Sequence, residues 1–521
     1  VKSIFVSSVV LLIVAQSAFC ATGWHEYLDS LIVEPEGPQQ EVLLQRVIDA
    51  SPDWQEVVRH IESMGFEDRE KGKAVLCTTI CIDDVKRPWV IYVPSAYDAG
   101  VPCPLLVRLH GGVSRKNILE VPERYAEEDE WLPLAEDRSW LVLYPFGQEG
   151  ATWWDEVGMA NIRDLVRTVK SEYNTDDDRV WMAGFSDGAS AGFAHAMVAP
   201  SDYAAVVALN GHLGVGSIDG DLPLYARNLG NIQVYAVTTD NDPLYPSGKM
   251  GVLIEMAREA GGNILYHELE GTHEFDYAEA DLPRIARFME CHPRDPFPTS
   301  FVWEAAEPRY GLCRWFGIDE ITTDEPASWH TDHNAALVDD RVTIGFVDDD
   351  SFEGEGVKVG TVLEETAAQE MGLKTDDIIV RGGNMSIGDL DDVAAYKATL
   401  TRGDSITLTV RREDQEIPLA GRLPGVSNYY CFKRDRPSGM AQVSFSANRI
   451  EVETSRIRAF RILIHPDMIR LDRNLVIEWN GKVVHDARVE TDLEFLLRNF
   501  LENRDRSLLY VASLRVAAST E

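Results

Sequence analysis

Val180-Trp181-Met182-Ala183-Gly184-Phe185-Ser186-Asp187-Gly188-Ala189-Ser190-Ala191-Gly192 is the stretch that decides the fold. An apolar run, Val180 to Ala183, leads into the pentapeptide Gly184 to Gly188, and small residues follow. A strand, a G-x-S-x-G turn and a helix make a nucleophile elbow. The turn is too tight for side chains beside the serine, so glycines flank it. It lifts the Ser186 Oγ above the sheet edge and sets the residue at the start of a helix, whose amides favour developing negative charge. The pentapeptide alone is a weak signal, because an ordinary strand-to-helix turn also uses Gly and Ser. The flanking pattern turns the reading toward a nucleophile.

Working outward, apolar runs at 74–82, 89–93, 105–109, 140–144, 203–210, 232–237 and 264–269 read as further strands. Helical patterns at 158–173, 187–198, 250–260 and 282–290 fall between them. Strands alternating with helices imply an α/β domain with a parallel sheet covered on both faces. Ligands of such sheets sit at the carboxyl ends of the strands.

A serine hydroxyl is a poor nucleophile until a base takes its proton. Two loops after Ser186 offer partners in the order acid, then histidine. Thr238 to Pro246 carries Asp240 and Asp242, which compete for the acid role, and Glu270 to Phe275 carries His273. His273 would be the base, and the acid would orient it. The oxyanion needs amides. The Asp187 N–H is one, and His110-Gly111-Gly112 after the 105–109 strand offers Gly111 and Gly112, with the inward-pointing amide left open. No Gly-Lys-Ser/Thr follows that loop, so it lacks the form of a phosphate cradle. No cysteine spacing resembles a zinc site, and no metal or other cofactor is expected.

Together Leu109-His110-Gly111-Gly112, Trp153-Trp154-Asp155, Gly184 to Gly188, Asp242-Pro243-Leu244-Tyr245-Pro246 and Gly271-Thr272-His273 resemble the polyhydroxybutyrate depolymerase and feruloyl esterase branch of the α/β-hydrolases. The resemblance covers about residues 75–290. It selects Asp242 as the acid and implies hydrolysis of carboxylic esters, of polysaccharide or polyester type, through an acyl-enzyme. Asp187 departs from the commoner uncharged residue after the serine, and its carboxylate would disfavour anionic acids. Trp153, Trp154 and Tyr245 are candidates for the substrate wall, although tryptophan pairs more often pack a core.

Residues 341–420 form a separate unit. Thr343-Ile344-Gly345-Phe346, a strand-like run at 357–362, Met371-Gly372-Leu373, Asp376 to Val380 and strand-like 405–410 resemble a PDZ domain. The resemblance implies that an extended peptide or protein C-terminus binds beside Ile344, Gly345 and Phe346. A docking module without a free ligand is the alternative.

The remaining boundaries follow from composition. Residues 1–21, with Lys2, an apolar core from Ile4 to Ala15 and small residues near Ala21, read as a signal peptide. This implies a secreted or periplasmic protein; lipid anchoring at Cys20 is the alternative. Residues 22–73 read as a helical lead-in, with Ser51 capping its last helix and Pro52 and Asp53 in the first turn. The catalytic domain takes 74–298. Aromatic strands and an acidic linker fill 299–340, and 421–521 is a β-rich domain that strands at 299–318 would complete. Asn480-Gly481 marks a hairpin there.

The net charge of −37 argues against a nucleic-acid partner and against docking on an anionic membrane. No later segment has the length of a membrane span. The six cysteines after the leader permit either disulfides or buried thiols. Two other functions compete with the esterase reading: a serine peptidase of the same fold, and a catalytically idle core serving as a peptide-binding scaffold.

Overall fold

The computed structural model describes residues 23–116, 122–349, 351–413 and 415–518. The leader, with Cys20, lies outside them. One compact unit takes the chain through His333 and again from Lys433 onward; the other is Asn334–Phe432.

The larger unit is built on an eight-stranded sheet. Its strands are β1 (Lys73–Ile80), β2 (Lys86–Val93), β3 (Cys103–Leu109), β4 (Leu141–Pro145), β5 (Thr175–Phe185), β6 (Ala205–Leu209), β7 (Gln233–Thr239) and β8 (Ile264–Leu269). They are ordered β1-β2-β4-β3-β5-β6-β7-β8. β2 runs antiparallel to both neighbours, and β3 to β8 are parallel. This is the α/β-hydrolase sheet. All five residues of β6 are buried, which explains its unbroken apolar run: helices cover both faces. Each fully buried Val or Leu contributes roughly 1.5–3 kcal/mol.

The helical lead-in differs from its sequence reading in two ways. Its helices, Trp24–Val33, Pro38–Ala50 and Trp54–Glu62, stop ten residues before β1. The cap of the third helix is Asp53, whose side chain accepts the Gln55 N–H, while Ser51 closes the preceding helix in a left-handed conformation. The apolar face made by Leu31, Leu44, Val47 and Ile61 shares a core with Leu496, Leu497 and Phe500 of the helix Leu493–Asn503 near the C-terminus.

Behind the α/β domain lie two further sheets. Residues Ser300–Ala305 (β9) pair with Gly439–Ser446 in a five-stranded sheet. Leu312–Cys313 (β10) and Phe316–Ile321 (β11) join Ile457–Ile464 and Ala512–Ala517 in a four-stranded one. Trp303, Trp315, Phe316, Phe460 and Ile477 fill their shared core. Asn480 and Gly481 take left-handed φ values of 49° and 77° in the hairpin between Leu475–Trp479 and Lys482–Ala487.

The smaller unit has its own core, around Val359, Ile379, Ile406 and Val410. Its main sheet orders Phe346–Asp348, Val357–Val362, Ile378–Gly382, Ser405–Arg412 and Gln415–Arg422. The acidic stretch read as linker ends in a strand, Ala336–Asp339, paired with Ser427–Tyr430. Backbone hydrogen bonding overrides composition there and extends the unit beyond 341–420. Cys77, Cys81, Cys103, Cys291 and Cys313 are free thiols.

Candidate functional site

Ser186 has φ 57° and ψ −119°. A non-glycine residue in this region is strained and is held there by its surroundings. The flanking glycines are a packing necessity: a Cβ on Gly184 would lie 2.1 Å from the Gly188 carbonyl carbon, and one on Gly188 would lie 2.3 Å from the Leu109 oxygen. The turn therefore presents the hydroxyl between the ends of β5 and β3.

The loops after β7 and β8 bring their side chains to it. His273 Nε2 lies 2.8 Å from Ser186 Oγ, and His273 Nδ1 lies 2.7 Å from Asp242 Oδ2. Asp242 is 2% exposed. Its Oδ1 accepts the Leu244 and Tyr245 amides at 2.7 and 2.9 Å, and its Oδ2 also accepts Asn210 Nδ2 at 2.9 Å. Burial alone would raise the Asp242 pKa, but the bonds from His273, Asn210 and the two amides outweigh it and hold the carboxyl below its ordinary value. Asp240 does another job: its Oδ1 accepts the Gly271 amide at 3.0 Å and ties the two loops together.

Asn210 and Tyr277 are absent from the sequence reading. Tyr277 Oη donates to Asn210 Oδ1 at 2.6 Å, and Asn210 Nδ2 passes the contact to Asp242 and to Thr239 Oγ1. Asn210 directly follows β6 and has φ 51°, a conformation that asparagine tolerates better than most residues. Its place at a strand end on the rim of a parallel sheet was the available signal.

The 110–113 loop lies against the nucleophile. A Cβ on Gly111 would sit 2.9 Å from Ser186 Cβ, and Gly112 has φ +70°. His110 is buried beneath the turn. Its Nε2 accepts the Gly147 amide at 3.1 Å, so Nδ1 carries the proton and donates to the Gly111 oxygen at 2.8 Å. Burial lowers its pKa to about 4, so the ring stays neutral near pH 7. The Asp187 carboxylate accepts the Val113 amide at 3.0 Å. Burial pushes the Asp187 carboxyl up, against the pull of the Val113 and Gly112 amides and of His273.

Trp153 and Trp154 do not form an exposed wall; they are 0% and 4% exposed. Trp153 Nε1 donates to the His110 oxygen at 2.9 Å and buttresses the loop from behind. Large aromatic rings complete the core here, which overrides the substrate-wall reading. Tyr245 is half-buried, with its ring 5.8 Å from that of His273.

In the smaller unit, Gly345 has φ +103°, and a Cβ there would lie 2.1 Å from Thr366 Cβ. Ile344 is buried, its oxygen accepting the Ala368 amide. Phe346 opens the strand at one end of the sheet order.

Residues 339–420 match the family model of the PDZ domain. Over 101 residues, 19% of this chain, the sequence is 32% identical to a bifunctional acetylxylan esterase/xylanase of Neocallimastix patriciarum; the match spans 14% of that protein's length. A thermostable esterase of known structure is 20% identical, covers 43% of this chain and 64% of its own, and has a TM-score of 0.36. A ferulic acid esterase is 16% identical, over 42% of this chain and 98% of its own, with a TM-score of 0.35. Esterase 2 of Thermogutta terrifontis, phosphoramylated by tabun, is 16% identical, over 43% and 96%, also with a TM-score of 0.35.

Proposed function

We propose that this chain is an exported serine esterase that hydrolyses carboxylic esters through an acyl-enzyme. The observation that carries the reading is the continuous relay from Ser186 Oγ through His273 to Asp242, with contacts of 2.8 and 2.7 Å. In the first half-reaction, Oγ attacks the ester carbonyl carbon and its proton passes to His273 Nε2. The tetrahedral oxygen is held by the Asp187 amide and the Gly111–Gly112 turn. The carbon–alcohol bond then breaks, and His273 returns the proton to the leaving alcohol. Water repeats the sequence and frees the acid. Asp242 keeps the Nδ1 proton in place and stabilises the imidazolium.

The Asp187 carboxylate, next to the nucleophile and half-buried, favours esters of neutral acids over those of dicarboxylic acids. The acetylxylan esterase activity in the name of the Neocallimastix patriciarum relative makes acetylated polysaccharide the first natural substrate to try; feruloylated polysaccharide and polyesters follow. The PDZ domain would receive an extended peptide along Phe346–Asp348, with its carboxylate at the Ile344–Gly345–Phe346 turn. The N-terminal leader directs the chain out of the cytoplasm.

The test is release of p-nitrophenol from p-nitrophenyl acetate by the full chain and by S186A. Equal rates would remove the assignment. Turnover of amides but not esters would transfer it to the peptidase reading.

A further inference from the structure

At the amino ends of β6, β7 and β8 lies a cavity of about 410 Å³. It is lined by the residues that lead into those strands, among them Ala204, Asn231 and Asn263, and by β9 and three arginines. The hydroxyl of Ser186 sits at the opposite, carboxyl rim, a strand length of about 20 Å away.

The three arginines are not equivalent. Arg294 is buried and neutralised by Asp505 at 2.8 Å and Asp178 at 2.9 Å. Arg314 is equally buried, 5% exposed, yet among the described residues its guanidinium donates only to backbone oxygens, those of Ser201 at 3.3 Å and Asn231 at 3.1 Å. Among the described residues no carboxylate makes an ion pair with it, although the exposed Asp295 lines the same cavity. Burial is the main influence on Arg314, and it lowers its pKa. Arg227 makes one side-chain bond, from Nη2 to Thr331 Oγ1 at 2.9 Å, while its Nε is buried without a partner.

Arg314 also occupies a costly backbone position. It has φ 53° in the two-residue turn between β10 and β11, where glycine or asparagine is easier to place. The backbone is pinned by its own N–H, which donates to Ser201 Oγ at 2.7 Å.

A buried cation needs a counter-charge to offset its lost hydration, and carbonyl dipoles replace only part of it. Two guanidinium groups facing one cavity match the flat, two-oxygen edge of a carboxylate or phosphate. The cavity falls within the roughly 300–1,000 Å³ usual for small-molecule sites. The surrounding protein carries a net charge of −37, so anions are not drawn to its surface at large. We propose that this cavity binds a small organic oxyanion, a carboxylate or a phosphate ester, between Arg314 and Arg227. The site is independent of the reaction assigned to Ser186.

The experiment is isothermal titration of the full chain with citrate and, separately, with inorganic phosphate, at an ionic strength of ~20 mM. One saturable site per chain is expected for at least one probe, and the two arms separate carboxylate from phosphate recognition. R227Q and R314M should each weaken that binding about tenfold or more with unchanged circular dichroism. Should R314M fail to fold, R227Q decides alone, because Arg227 is only half-buried. No saturable heat from either probe up to about 10 mM, or equal affinity in wild type and R227Q, overturns the proposal.

Discussion

The two ends of the central sheet treat charge in opposite ways. At the carboxyl rim, Asp242 is buried but receives four donors, from His273, Asn210 and the Leu244 and Tyr245 amides. At the amino rim, Arg314 is similarly buried, and among the described residues its guanidinium donates only to two carbonyl oxygens. A fully partnered charge fixes geometry, which acyl transfer requires. A charge left with dipoles alone is poised for an ion from outside. The parallel part of one sheet thus supports precision at one end and affinity at the other.

The comparison breaks most readily at the carboxyl rim. S186A is expected to lower kcat for p-nitrophenyl acetate by about 10⁶-fold, and D242N by about 10⁴-fold, because the wrong imidazole tautomer is then held. Steady-state kinetics checks both. G111A places a methyl group against Ser186 and is expected to cost about 10²-fold in kcat. Asn210 acts at one remove, through the carboxylate. N210G keeps the left-handed backbone conformation but removes the amide, and should lower kcat about tenfold with KM unchanged; a change confined to KM would refute the positioning role.

The smallest effect sharpens the electrostatic contrast. The Asp187 pKa is raised on folding, so ionisation opposes stability above that value and the penalty is relieved as pH falls. D187N should therefore raise Tm at pH 7, with the gain fading toward pH 3. The Asp242 pKa is lowered instead. Its contribution is present above the unfolded carboxyl value near 3.8 and is lost as pH falls through the folded one, so D242N should lower Tm at pH 7. Thermal scans across that range distinguish the two signs.

Much of this architecture was readable in the chain. Glycines at 184, 188 and 111 are demanded by contacts that no side chain can share, so their spacing announced the turn and the loop beside it. Ser186, Asp242 and His273 lie at strand ends in a required order, and the PDZ landmarks recur at their proper intervals. Sequence was silent where a role depends on a partner distant along the chain. Asn210 and Tyr277 have no local signature; only folding brings them to the back of Asp242. Trp153 and Trp154 stayed open between substrate wall and core because composition does not tell which face of an indole meets solvent. The segment before residue 341 looked like linker because acidic composition conceals a strand whose partner lies some ninety residues on, Ala336 pairing with Tyr430. Arg314 and Arg227 gave no sign at all, because a missing counter-charge is a property of the packed interior.

The long-range pairing of β9 has a consequence for synthesis. Its partner strand leaves the ribosome about 140 residues later, a delay on the order of ten seconds at ~5–20 residues per second. Throughout that interval Phe301 and Trp303, both buried in the finished molecule, lack the strand that pairs with theirs. The intervening PDZ segment possesses a core of its own, so its folding does not have to wait for the strand that β9 awaits.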